Sequence, residues 1–190
     1  MGFRGSVFSI ATCAFMALCA VPALAKAPIG TIEGMVVNVS DGEHLTVSNN
    51  GTDVNVRLYG IHAPIISKVN KNKPWLSEPG QPFSGRAFMA LANKVLHKQV
   101  KLEIMRIDRH GRTVAIVLAD DHNVNHEMVA EGWAWACQKY NNQHDVLGYK
   151  HAEEEARSKK LGLWAQKSPL PPWEFRKMVT VGNKRISNAL

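Results

Sequence analysis

Three short segments near the start of the chain set the strongest limit on its fold. "TIEGMVVNV" (31–39), "HLTVSNN" (44–50) and "DVNVRLYG" (53–60) alternate apolar and polar residues and are rich in β-branched side chains. The turn sequences "SDGE" and "NNGTD" divide them. Strict alternation marks half-buried strands, and Asp-Gly and Asn-Gly mark tight turns, so the segment predicts a three-stranded meander. In the third strand Val54, Val56 and Leu58 share one face, while Asp53, Asn55 and Arg57 share the other. Successive side chains on a strand point to opposite faces. Arg57 is therefore predicted to point away from the apolar side.

The rest of the chain supplies the covering layers. Residues 66–82, "ISKVNKNKPWLSEPGQP", read as a polar loop. Phe83, Ala87, Leu91 and Val95 then recur every fourth residue, with Phe88 and Ala92 beside them, which predicts an amphipathic helix. "QVKLEIMRI" and "RTVAIVLAD" are two more strands separated by "DRHG". "NVNHEMVAEGWAW" reads as a short helix ending near Gly132. "DVLGYKHAEEEARSKKLGLW" reads as a longer one, with Gly162 as its C-cap. No internal repeat and no second domain is visible. The predicted class is α+β, mainly β: a five-stranded OB-fold barrel with about three packed helices. That fold commonly binds oligonucleotides or oligosaccharides, but a fold alone does not decide function.

The two ends have a different character. Residues 1–25 carry Arg4, then an apolar stretch, then "ALA" before Lys26. This is the pattern of a secretory signal peptide, and the apolar run is too short and interrupted for a membrane span. The expected product spans a folded domain over residues 26–177 and a basic tail, without fixed structure at its end, over 178–190. Its expected location is periplasmic or secreted, with no stable membrane anchor once the signal is removed. The full chain has 23 Lys and Arg against 16 Asp and Glu. Losing Arg4 leaves 22 against 16, a formal net charge of +6. Such a surface favours an anionic partner. Cys137 is the one cysteine outside the signal, so an intrachain disulfide in the exported chain is excluded and stability must come from packing.

The order of five motifs is informative. "NVSDGEHLTV", "VRLYGIHAP", "DRHGRTVAIVLADD", "VNHEMVAEGWAW" and "KKLGLW…PPWEFR" resemble, in sequence order, the staphylococcal-nuclease-like (thermonuclease-like) family. The similarity runs over about residues 30–177. It implies an OB-fold and a calcium-dependent endonuclease that hydrolyses phosphodiesters in DNA and RNA. Calcium takes several hard oxygen ligands, mainly carboxylates, and two arginines match phosphate geometry with their planar forks.

Carried over residue by residue, the resemblance places Arg57 and Arg112 at the phosphate-clamping arginines. Glu43 stands where the family has a metal-binding aspartate, one methylene longer. His62 replaces a second metal-binding aspartate, and imidazole is a poor calcium ligand that better suits zinc, nickel or manganese. Ile65 occupies the position of the glutamate that handles the attacking water, and its side chain can neither take a proton nor hold water. His44 and His110 are further candidates for a rebuilt divalent-metal site around Glu43 and His62. Asp41 reads as a turn-former, Cys137 as a buried structural cysteine, and Trp133, Trp135, Trp164 and Trp173 as packing residues. Lys68, Lys71 and Lys73 lie in the loop expected to flank a nucleic-acid groove.

Three readings stay open at this level. The leading one is an exported nuclease-like protein that binds DNA or RNA while its calcium chemistry is impaired or lost. The second is an active secreted endonuclease with a rebuilt metal site. The third is a cell-envelope interaction module.

Overall fold

The computed structural model of the chain describes residues 27–72, 77–137 and 144–187. The three alternating segments form antiparallel strands β1 (Gly30–Val39), β2 (His44–Asn49) and β3 (Thr52–Leu58), followed at once by a two-residue β4 (Ile61–His62). The later apolar runs form β5 (Gln99–Ile107) and β6 (Thr113–Ala119), with β5 antiparallel to both β1 and β6. Closure comes from a parallel pairing of β3 with β6, in which Val56, Leu58 and the residue between them face Thr113–Ala115. The predicted five-stranded barrel is thus present. Two further short strands, β7 (His122–Asn123) and β8 (Trp135–Ala136), pair with β6 and β4.

Inside the barrel lie Val36, Leu45, Val47, Val56, Leu58, Leu102 and Val117, the inward members of the alternating pattern. Removing such side chains from water is the main stabilising term, about 1.5–3 kcal/mol for each fully buried Val or Leu. Helix α1 (Ser84–Val95) closes one side with the predicted stripe of Ala87, Leu91 and Val95. Phe83 departs from that prediction. It is the N-cap, in left-handed conformation, and packs instead against a second apolar cluster of Trp135, Ala156, Leu163 and Trp164. Among the described residues of the loop before it, Lys68 and Glu78 exchange both backbone hydrogen bonds.

Helix α2 (Val124–Ala130) starts at Asn123, whose side chain accepts from the His126 N–H. Its Asn125, in the "VNHEMVAEGWAW" motif but singled out for no role there, is fully buried. The side chain accepts from Val117 N–H at 3.0 Å and donates to Tyr59 O at 2.9 Å and Ala115 O at 3.1 Å, tying the helix to β6 and to the residue that follows β3. Helix α3 (His144–Ser158) does not end at Gly162 as predicted. Lys160 takes the left-handed position, and the N–H groups of Lys160 and Leu161 reach back to the carbonyls of Arg157 and Ala156, a Schellman ending. Gly162 serves another need. A Cβ there would collide with the Gly132 carbonyl, and a Cβ on Gly132 would collide with the Leu161 carbonyl, so the two glycines let the chain segments touch.

A 3-10 turn (Gly162–Ala165) leads to a fourth helix, α4 (Pro172–Ser187). This helix extends ten residues into the segment read as a tail; residues 188–190, the signal segment and Lys73 lie outside the described residues. Among the described residues no helix is long and apolar enough to cross a membrane.

Candidate functional site

One row of residues crosses four strands at one end of the barrel. His44 on β2 is opposite Arg57 on β3, Arg57 is opposite Val114 on β6, and Val114 is opposite Arg106 on β5. A β-bulge puts Arg106 there. Ile104 pairs with Ala115, so an unbroken ladder would set Met105 against Val114; the register shift sets Arg106 there instead and leaves Met105 in the core. Bulges re-aim side chains in this way. Arg57, Arg106, His62 and Cys137 then line one cavity of about 170 Å³.

Glu43 lies beside it in the turn between β1 and β2. Asp41 Oδ1 accepts from the Glu43 N–H at 2.8 Å, and the Glu43 carbonyl accepts from Leu58 N–H at 2.9 Å, so the backbone is held from both sides. The turn sits deep: a Cβ on Gly42 would come within 2.8 Å of the Ala63 Cβ and 2.9 Å of the Ala87 Cβ. Glu43 itself is only 6% exposed. Its Oε2 lies 3.4 Å from His62 Nδ1 and 3.6 Å from Arg57 Nη2. Burial alone would raise its pKa, but His62 and Arg57 outweigh that and lower it to about 2.

His62 is placed by the β4–β8 pairing, in which His62 is opposite Trp135 and the Cys137 N–H donates to Gly60 O at 2.8 Å. Burial works against its charge, yet the Cys137 sulfur and Glu43 together push its pKa up to about 9. The ring is therefore cationic at neutral pH. Arg57 Nη2, 3.0 Å from His62 Nδ1, can donate to that nitrogen only after the ring loses its proton. At neutral pH two cations share one buried carboxylate, and the cluster carries a net positive charge.

The second predicted arginine belongs to a separate chain of contacts. Arg112 Nε donates to Asp108 Oδ2 at 2.8 Å, and Nη2 stands 2.7 Å from the same oxygen. Asp108 also accepts from the backbone N–H groups of His110 and Arg112. Burial opposes ionisation there, but Arg112 and these N–H groups hold the carboxyl well below its usual range. Arg112 Nη1 lies 2.8 Å from His44 Nε2, and His44 Nδ1 faces both oxygens of Asp41 at 2.9 and 3.0 Å. Since guanidinium only donates, Nε2 accepts and Nδ1–H donates to Asp41. Through the row described above, Arg57 and Arg112 open at the same end of the barrel.

The other predicted residues divide. His44 joins this site; His110 is exposed on the loop and takes a hydrogen bond from Arg109. Lys68 and Lys71 are exposed, with Lys68 Nζ 3.6 Å from Glu78. Cys137 is buried as predicted, but beside His62 rather than in a purely apolar setting. Arg106 was missed because only the bulge reveals it. Gln81 was missed as well: its side-chain oxygen accepts from the Ile65 N–H at 2.9 Å, and its own N–H donates to the Ile65 carbonyl at 2.8 Å.

The family model described as "Staphylococcal nuclease homologue" matches residues 55–166. The chain belongs to the staphylococcal-nuclease-like family. A Haemophilus influenzae protein named "Uncharacterized endonuclease" is 36% identical over 143 residues, covering 75% of this chain and 71% of its own. A Shigella flexneri protein named "Micrococcal nuclease" is 34% identical over 153 residues, covering 76% of this chain and 80% of its own. These nuclease-like relatives make nucleic acid the substrate class to test.

Members of the staphylococcal-nuclease-like family generally depend on calcium, and the residues of this chain do not fit that ion. Calcium calls for six to eight oxygen ligands with several carboxylates among them. Glu43 is the carboxylate at the cavity, and it already faces two cationic groups. Asp41 is engaged by His44 and Asp108 by Arg112. Among the described residues no group of three or more His, Cys, Asp and Glu side chains is arranged to hold a metal.

Proposed function

We propose that the protein is an exported, nuclease-like OB-fold protein that binds DNA or RNA through its cationic barrel end, with the family's calcium-dependent hydrolysis impaired. The observation that carries this reading is the pairing of Glu43 with Arg57 and His62. It sets two cationic groups against the carboxylate a metal would use and leaves a net positive pocket suited to a phosphate. Arg57 and Arg106 line that pocket. Arg112 has five N–H groups, of which three point to Asp108 and His44, so a phosphate takes the others or displaces His44.

The test is the salt dependence of binding. Cations that neutralise phosphates release counterions, and each contact contributes about 0.9 to the slope of log affinity against log salt on duplex DNA. Replacing Arg57 and Arg112 together by alanine is expected to weaken binding and to lower the slope by about 2. Fluorescence anisotropy with a labelled oligonucleotide at several salt concentrations measures both. Unchanged affinity and slope would show that neither arginine touches phosphate.

A second reading, an active endonuclease with a rebuilt metal site, is favoured by the names of the two relatives. Hydrolysis of DNA and RNA assayed across several divalent metals separates it from the first. Export has its own check. The small residues before Lys26 support cleavage after Ala25, so mass spectrometry of the exported protein is expected to find Lys26 at the N-terminus. An exported form that keeps Met1 would refute this.

A further inference from the structure

We infer that the cavity between β8, the outer face of α3 and the start of α4 is a nucleobase subsite adjoining the phosphate-binding end of the barrel. The inference rests on the nucleic-acid-binding reading above and names a place where a base of the bound strand is held. The cavity measures about 340 Å³, at the lower end of the roughly 300–1,000 Å³ typical of ligand pockets.

Its walls have the chemistry of base recognition. Trp135, Trp173 and Pro171 supply flat apolar surface. Trp135 is 3% exposed, and its indole Nε1–H has no hydrogen-bond partner. Its ring packs edge-on to Trp164, centroids 5.4 Å apart, so the face open to a base is that of the half-buried Trp173, which packs against this cluster. Glu153 is already used: it accepts from the Ala136 N–H at 2.6 Å and from Arg157 Nε at 2.8 Å. Glu154 is more lightly held, with Lys150 at 3.9 Å and 63% of its side chain exposed, and can accept from an exocyclic amine. Lys150 and Arg157 also line the cavity and pair with the two carboxylates, so this cavity carries no excess positive charge, unlike the one at Arg57 and Arg106.

The two cavities are neighbours. Ala136 lines this one and Cys137, the next residue, lines the cavity of Arg57 and Arg106. The Trp173 ring stands edge-on to the His62 ring, centroids 5.8 Å apart. A strand whose phosphate sits at Arg57 therefore has an aromatic wall within one residue of the phosphate pocket. Stacking on aromatic side chains is sequence-tolerant because every base has a π-face.

The experiment compares two oligonucleotides with identical phosphates, one carrying all its bases and one with abasic sites, by fluorescence anisotropy at low salt. The natural protein is expected to bind the base-carrying strand about tenfold more tightly. Trp173→Ala is expected to bind both strands with the affinity of the abasic one, and Trp173→Phe to keep most of the preference. Circular dichroism checks that each variant folds. Equal binding of the two strands by the natural protein overturns the inference without any variant, as does a preference that survives in folded Trp173→Ala. In either case, salt-sensitive binding would leave the nucleic-acid reading intact. Binding of neither strand at low salt would overturn both.

Discussion

Carboxylates restored at positions 62 and 65 are expected to raise calcium-dependent cleavage about a hundredfold or more. The magnitude is that of a positioned general base, about 10²–10⁴ in rate. His62→Asp removes the cation that stands 3.4 Å from Glu43 Oε2 and sets a second anion there. Two carboxylates facing each other repel until a divalent cation joins them, so the change creates the demand that calcium meets. Glu43→Asp adds the shorter reach found in the family. Ile65→Glu places the new carboxylate on a fixed backbone, since Gln81 bonds both the N–H and the carbonyl of residue 65 and is itself anchored to the Leu170 carbonyl at 2.8 Å. Turnover on single-stranded DNA at matched calcium, for the natural and restored chains, measures the gain. Arg57→Ala in the restored background and a chelator serve as controls. Efficient calcium-dependent cleavage by the natural chain would refute the impaired reading and favour the active endonuclease.

The parts of the molecule that the sequence announces are those set by local pattern. Alternation makes β1, β2, β3 and β5 visible in advance, a short β-branched apolar run bounded by turn residues makes β6 visible, and the four-residue spacing of Ala87, Leu91 and Val95 makes α1 visible too. The site depends on events too short or too distant to leave such a signal. Strands β4 and β8 are two residues each, yet their pairing is what brings Cys137 to His62. A one-residue register shift in β5 decides that Arg106, not Met105, joins the row with Arg57. Asn125 looks like an ordinary polar helix residue until its three barrel partners are seen. Helix α4 hides behind Pro171 and Pro172, because a proline in a sequence reads as a breaker although the first turn of a helix tolerates it well. Glu43 is the instructive case. Its position suggested a metal ligand, and only the geometry shows it facing Arg57 and His62 across ion pairs of 3.6 and 3.4 Å, with Oε2 accepting no hydrogen bond.

That ion-paired cluster should set the alkaline side of the pH dependence of stability and share the acid side with Asp108. Glu43 has its pKa lowered from 4.5 to about 2, so its contribution is present in full above 4.5 and is lost as pH falls through 2. His62 has its pKa raised from 6.5 to about 9, so its contribution is present in full below 6.5 and is lost as pH rises through 9. The thermal midpoint of the natural protein is therefore expected to show a plateau between pH 4.5 and 6.5, declining on both sides. The two limbs report one shared interaction and do not add. Glu43→Gln removes the buried charge that both cations need. Breaking one partner of a buried pair costs about 3–5 kcal/mol, because the charge left behind has no compensation. At the lower figure the midpoint at pH 6 should fall by about 10 °C for a chain of this size. In the variant His62 keeps Cys137 but loses the Glu43 carboxylate, so the alkaline decline between 6.5 and 9 should flatten in part. His62→Gln should flatten the same limb while keeping the acid one, since Arg57 still pairs with Glu43. Calorimetry across pH 2–10 on the three proteins reads all of this. A Glu43→Gln protein with an unchanged midpoint and an unchanged alkaline limb would show that Glu43 does not hold the cluster together.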